Sequence, residues 1–276
     1  YGDQPAGWRI IGEKENILSF NRQKVLDYYK NHYSSSNTVV CVAGNIDSED
    51  IKNKIEGSFK NIETIEAKEK IKAKESQQKP EAMLHFKETD QTHFCLGVRA
   101  YNLFHPQKNA LSLLSIILGG NMSSRLFIKI RERQGLAYYI HTSIDTTSDT
   151  GYLVTQAGID HKNLEKSVGL ILKEYKDLKD KKITAKELQK AKDYLKGIST
   201  LSLEPSDSQA SFYASQELLE KEVLTLKEKF EKIDKISIND IKKVAEDIFS
   251  SKNLNLAVIG PFEDKEKEKL QRLLKI

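Results

Sequence analysis

One stretch of this sequence occurs twice. Ile17–Asp47 and Ile233–Glu263 align without a gap at a constant spacing of 216 residues, as from Asn21 to Ser237. A repeat constrains the fold strongly, because each copy must form the same unit and bury the same face. In each copy a small polar residue, Asn21 or Ser237, stands where its side chain can accept from an unpaired first-turn N–H and open a helix. Apolar residues follow at helical spacing: Val25, Tyr28 and Tyr29 in one copy, Ile241, Val244 and Ile248 in the other. A Ser/Asn turn leads into a short apolar strand, Thr38–Ala43 before Gly44 and Leu254–Ile259 before Gly260. A second amphipathic helix follows each, Ser48–Phe59 and Glu263–Leu274. A single strand cannot satisfy its own backbone groups. If both copies are whole domains, about 130 or more residues preceded Tyr1. Without them, residues 1–60 are expected to associate or to be partly disordered.

The pattern divides the chain into three. Residues 1–62 read as the back of a first domain, 63–82 as a linker dense in Lys and Glu, and 83–276 as a complete second domain. In that domain Met83–Glu88 and His93–Ala100 read as strands, Gln107–Leu118 and Ser123–Arg133 as helices. Leu136–Asp145 and Gly151–Gly158 read as an antiparallel pair, followed by helices His161–Leu178 and Ala185–Leu201. Thr184 and Glu187 have the spacing of a capping box. Pro205 restarts the chain into Ser206–Leu219, before a further helix Leu224–Ile233. Hairpin strands followed by runs of helices make the class α+β.

Composition excludes several functions. Lys and Arg number 44 against 40 Asp and Glu, a net charge of +4 over 276 residues with no basic block, which argues against nucleic-acid binding. The longest apolar run, Leu111–Leu118, falls well short of the roughly 18–20 residues of a spanning helix, so no membrane role is expected. Tyr1–Gly7 has neither the basic nor the apolar region of a signal peptide. Cys41 and Cys95 sit in apolar runs and read as buried free thiols of a reducing, cytoplasmic compartment.

The chemistry is sparse. His32, His85, His93, His105, His141 and His161 form no H-x-x-E-H, H-E-x-x-H or H-x-x-x-H motif, and no C-x-x-C exists, so no metal ligand is assigned. His85 and His93 lie on neighbouring strand segments that could approach. Gly119-Gly120-Asn121 reads as a tight turn between helices. One pair stands out. Arg131 ends a helix, Gly135 stops it, and Tyr138 opens the next strand. Such a reversal can present a guanidinium and a phenol on one side of a corner, as N–H and O–H donors to a peptide carbonyl or the oxyanion formed from it. The ordinary alternative is an Arg paired to a nearby acid and a Tyr used for packing.

Three stretches carry a resemblance: GWRIIGEKENILSFNRQKVLDYYKNHYSSSNTVVCVAGNID, LSIILGGNMSSRLFIKIRERQGLAYYI and TAKELQKAKDYLKGISTLSLEPSDSQA. In these the sequence resembles the pitrilysin/insulinase family of zinc metallopeptidases, in the bacterial branch similar to mitochondrial processing peptidase. The resemblance implies two homologous α/β-sandwich domains facing each other across a peptide chamber, the first truncated here at its N-terminus. It implies a zinc held by H-x-x-E-H and a later Glu in the missing upstream part, so this chain binds no zinc and has no catalytic residue of its own. It assigns Arg131 and Tyr138 to substrate binding. It also implies a peptide substrate, and a homodimer, a heterodimer or association with the missing N-terminal half. Three roles follow: part of a zinc endopeptidase, a non-catalytic partner subunit, or a structural module.

Overall fold

Asn21 caps helix α1 (Arg22–His32), accepting from the Lys24 N–H at 2.9 Å, and Asp47 caps α2 (Ser48–Phe59), accepting from the Asp50 N–H at 2.8 Å. A computed structural model describes residues 1–66 and 69–276; Ala67 and Lys68, inside the predicted linker, lie outside the described residues. Two compact units are present, Tyr1–Glu75 with Ser199–Thr225 and Ser76–Ile198 with Leu226–Ile276. Helices α1 and α2 belong to the first and contain no buried residue.

The second unit is built on a five-stranded sheet. Its strands are β1 (Glu81–Phe86), β2 (Thr92–Ala100), β3 (Ala137–Thr146), β4 (Gly151–Ile159) and β5 (Leu254–Gly260), in the order β1-β5-β2-β4-β3. β1 runs parallel to β5 and every other pair is antiparallel, so the class is α+β. Along β2, Thr92, Phe94, Leu96 and Val98 alternate with more exposed neighbours, the period of a sheet covered on one face. The core is completed by α3 (Lys108–Gly119), α4 (Leu164–Asp180) and α5 (Ala185–Ser202). Helices α6 (Leu226–Asp234), α7 (Ile238–Ile248) and α8 (Lys267–Leu273) also contribute to it. Tyr175 of α4 is fully buried, and its hydroxyl donates to the Leu96 carbonyl at 3.1 Å and lies 2.9 Å from Thr155 Oγ1. Thr155 in turn meets Thr142 Oγ1 at 2.9 Å, so the polar atoms that the core takes in are satisfied there.

The repeat is visible in the backbone. α1 and α7 are both 11 residues long, and each runs into a 3-10 turn, Ser35–Asn37 or Ser251–Asn253. Each cap side chain accepts from the N–H three residues on. The copies differ in what covers them. Val25, Tyr28, Val40 and Val42 are 59%, 61%, 42% and 44% exposed; their counterparts Ile241, Val244, Leu256 and Val258 are 1%, 0%, 2% and 2% exposed.

Several expectations are corrected. Thr38–Ala43 is not a strand: no described residue pairs with it, whereas Leu254–Gly260 is flanked by β1 and β2. Ser123–Arg133 is not one α-helix, since a π-helical turn occupies Phe127–Glu132. The helices expected from His161 and from Glu263 each open with a 3-10 turn instead. Both cysteines are half-buried rather than buried. His85 and His93 do not meet, because both stand in register with Ile259 on opposite sides of β5, about 9–10 Å apart by strand spacing. Among the described residues no helix is long and apolar enough to cross a membrane.

Candidate functional site

The corner that carries Arg131 and Tyr138 begins where α3 ends. Gly119 packs so closely on β3 that a Cβ there would lie 2.2 Å from Thr142 Oγ1. The chain then turns through residues 120–125, where Asn121 Oδ1 accepts from the N–H and the hydroxyl of Ser123, both at 2.9 Å. Next comes the π-helical turn. The Arg133 N–H donates five residues back, to the Ile128 carbonyl at 3.0 Å. Phe127 and Ile130 bury themselves in the core and anchor the turn. π-Helical turns are rare and recur at functional sites.

Gly135 closes the turn at φ +59°, its N–H donating to the Arg131 carbonyl at 3.2 Å. The strand that follows is irregular. Ala137 pairs with Ile159 and Tyr139 with Gly158, so Tyr138 is the extra residue of a bulge. A bulge of this kind re-aims a side chain, and Tyr138 is 60% exposed.

The turn and the residues that flank it carry four cations, in two classes. Arg125 Nε donates to Glu187 Oε1 at 2.8 Å, and its Nη1 lies 3.8 Å from Glu174 Oε2. Lys129 is paired to the other oxygen of Glu174, which is buried on α4. These two are neutralised inward. Arg131 and Arg133 are exposed and have no ion pair among the described residues. The Arg131 guanidinium lies 4.8 Å from the centre of the Phe127 ring, a cation–π contact that holds the carbon while leaving the N–H donors open. Tyr138 has no hydrogen-bond partner among the described residues, and no bond joins it to Arg131. Neither the acid pairing expected as the ordinary role of Arg131 nor a packed Tyr138 is found.

Burial alone would raise the Glu187 carboxyl, but hydrogen bonds from the Arg125 guanidinium and the Thr184 backbone N–H outweigh it and hold it below its ordinary value. The Glu174–Arg125–Glu187 network was not foreseen from sequence. Its one signal was the capping box, in which Thr184 N–H donates to Glu187 at 2.9 Å while Glu187 N–H donates to Thr184 Oγ1 at 3.1 Å.

No group of three or more His, Cys, Asp or Glu able to hold a metal is found among the described residues. The histidines are used otherwise. His161 bridges Thr92 Oγ1 at 2.7 Å and the Thr89 carbonyl at 2.8 Å, and His93 lies 3.2 Å from the Tyr139 hydroxyl. The residues present do not fit a zinc site.

Comparison with known proteins adds the family context. The family model described as the peptidase M16 inactive domain matches residues 19–195. The chain is 33% identical over 262 residues to an uncharacterized zinc protease of Bacillus subtilis (strain 168), covering 95% of this chain and 63% of that protein. Among solved structures it is similar to a peptidase M16 inactive domain from Pseudomonas fluorescens, with TM-score 0.86, 18% identity, and 95% of this chain and 63% of that one covered. A protease from Helicobacter pylori gives TM-score 0.81 at 21% identity, covering 91% of this chain and 62% of that one. The chain thus spans about three fifths of the length of these proteins.

Proposed function

The chain belongs to the peptidase M16 family, and on that premise we propose that it supplies the substrate-holding part of a zinc-dependent endopeptidase. In this reading residues 1–62 are the back of the catalytic-type domain, 63–82 the linker and 83–276 the substrate-binding domain. The zinc and its base come from a polypeptide region outside this chain, joined to it or carried by a partner subunit. The exposed faces of Val25, Tyr28, Val40 and Val42 are where that region docks. A reducing, cytoplasmic setting fits the two free thiols.

The observation that carries the reading is the pair of open donors. Arg125 and Lys129 are consumed by acids, while Arg131 and Tyr138 keep their N–H and O–H groups free. Keeping donors unpaired at a hydrogen-bonded corner suits a site whose acceptor arrives with the substrate. Such donors can hold the carbonyl of an extended peptide, and they bind more strongly as negative charge grows on that oxygen during attack.

The test uses the chain assembled with its zinc-bearing counterpart and a fluorogenic peptide. Arg131→Ala and Tyr138→Phe should each lower kcat/KM by about a hundredfold or more, the range for loss of an oxyanion donor, with the melting temperature held. Arg133→Ala, on the same turn, should leave turnover within about twofold. Unchanged turnover in the Arg131 and Tyr138 variants would reject the assignment and leave a structural module. Chelator-sensitive cleavage restored by a separate zinc-bearing chain, and not by a region joined to this one, would favour the non-catalytic partner subunit.

A further inference from the structure

A stripe on α5 grips the loop that leads into the π-helical turn. Its members, Glu187, Lys190 and Tyr194, stand at i, i+3 and i+7 and so share one helix face. Each holds a different point of residues 120–125. Glu187 Oε1 accepts from Arg125 Nε at 2.8 Å, Lys190 Nζ donates to the Ser123 carbonyl at 2.7 Å, and the Tyr194 hydroxyl reaches the Gly120 carbonyl at 3.4 Å. From α4, Glu174 adds the pairing to Lys129. Every fixed point lies on the chain before Arg131.

We infer that Glu187, Lys190 and Tyr194 are positioning residues: they hold the π-helical turn in its widened form and thereby set the direction in which Arg131 points. This rests on the reading of Arg131 as a substrate donor. The physical reason is rotational. A π turn holds one residue more than an α turn, and relaxation to α geometry would rotate the residues at its end, Arg131 among them, by up to about 100°. The π form is intrinsically the less stable, so lateral restraints must supply the difference. Arg125, just before the turn, and Lys129, in its first half, are anchored, which leaves the rotation to fall on Arg131. The stripe also satisfies two loop carbonyls that no helix or strand bond reaches.

The experiment is a double-mutant cycle on the chain assembled with its zinc-bearing counterpart. The clamp variant is Lys190→Met with Tyr194→Phe, which keeps the shape and leaves the α5 capping box intact. Glu187→Gln is a second, independent variant. Each is made alone and with Arg131→Ala, and two quantities are read: kcat/KM, and the affinity of the zinc-stripped protein for an uncleaved fluorescent peptide. With Arg131 present, the clamp variants should lower kcat/KM about tenfold, and they should weaken peptide affinity. With Arg131→Ala in place, the same substitutions should change either readout by less than about twofold, because the group they aim is gone. Equal losses in both backgrounds would show a general structural role and overturn the inference, as would no loss in the first. If Arg131→Ala itself is without effect, the substrate-donor reading fails and the positioning role fails with it.

Discussion

At Gly135 the reversal before β3 depends on a single backbone angle. Its φ of +59° is left-handed, and a Cβ built there would meet nothing within 4 Å. Any penalty on substitution is therefore conformational and not steric. Gly135→Ala should destabilise the second unit by about 1 kcal/mol, read as a shift in the urea midpoint by circular dichroism. Gly135→Asn should lose less, since Asn enters this region more readily. Equal stability of Gly135→Ala and wild type would mean that the turn repacks. The same residue shows why part of the site was legible from sequence. A glycine after a helical pattern marks its stop, and that placed Arg131 and Tyr138 at either side of a corner. The bulge that frees Tyr138 was not legible, because it is defined by the pairing of β3 with β4. Nor was the second partner of Glu187, since Arg125 lies 62 residues away in sequence.

Among the elements, α7 shows how a local signal becomes stability. Ser237 Oγ accepts from the Asp240 N–H, and the Asp240 carboxylate accepts from the Ser237 N–H at 2.9 Å and its hydroxyl at 2.7 Å. These bonds hold the Asp240 carboxyl below its ordinary value, the serine hydroxyl contributing most and its backbone N–H next. A depressed carboxyl stabilises the fold above its unfolded pKa, and that contribution is lost as pH falls through the folded value. Between about pH 5 and about pH 2, wild type should therefore lose more stability than Asp240→Asn. Ser237→Ala should cost about 0.5–2 kcal/mol in the unfolding of the second unit. Asn21→Ala, the matching change in α1, should not alter that transition, because α1 belongs to the other unit and contains no buried residue. Equal effects of the two cap variants would contradict the difference in packing. Caps, helical spacing and the α+β class were readable because each is written within a few neighbouring residues. Thr38–Ala43 misled because a strand is a property of a pair, and the apolar pattern alone does not supply the partner. The π-helical turn escaped because Phe127 and Ile130 fit either helix form.

For the whole molecule the two copies act as internal references for each other. The face that α7 and β5 bury is the face that α1 and residues 38–43 expose. In the chain by itself, the amides of residues 38–43 should exchange faster than those of Leu254–Gly260, and joining the zinc-bearing region proposed above should slow them. By register, Val42 answers to buried Val258 and Cys41 to exposed Ala257. Val42→Asp should therefore abolish that protection, and Cys41→Ser should leave it intact, as hydrogen-exchange mass spectrometry would show. Protection that survives Val42→Asp would mean that the exposed face is not what docks.

The likeness of the copies also has a kinetic side. Residues 38–43 and β5 carry a similar apolar pattern, and β5 fills one slot, the gap between β1 and β2. Residues 38–43 leave the ribosome before that slot exists, whereas β5 is made after every other strand. The early segment is also the nearer one along the chain, with a loop roughly a quarter as long to close, worth about 1 kcal/mol of closure entropy in its favour. It is a decoy with a head start. If residues 38–43 enter that slot, β5 has to evict them on arrival; engaging them elsewhere before β2 emerges avoids the exchange. Any condition that delays their own partners will slow the maturation of the half of the molecule that holds Arg131.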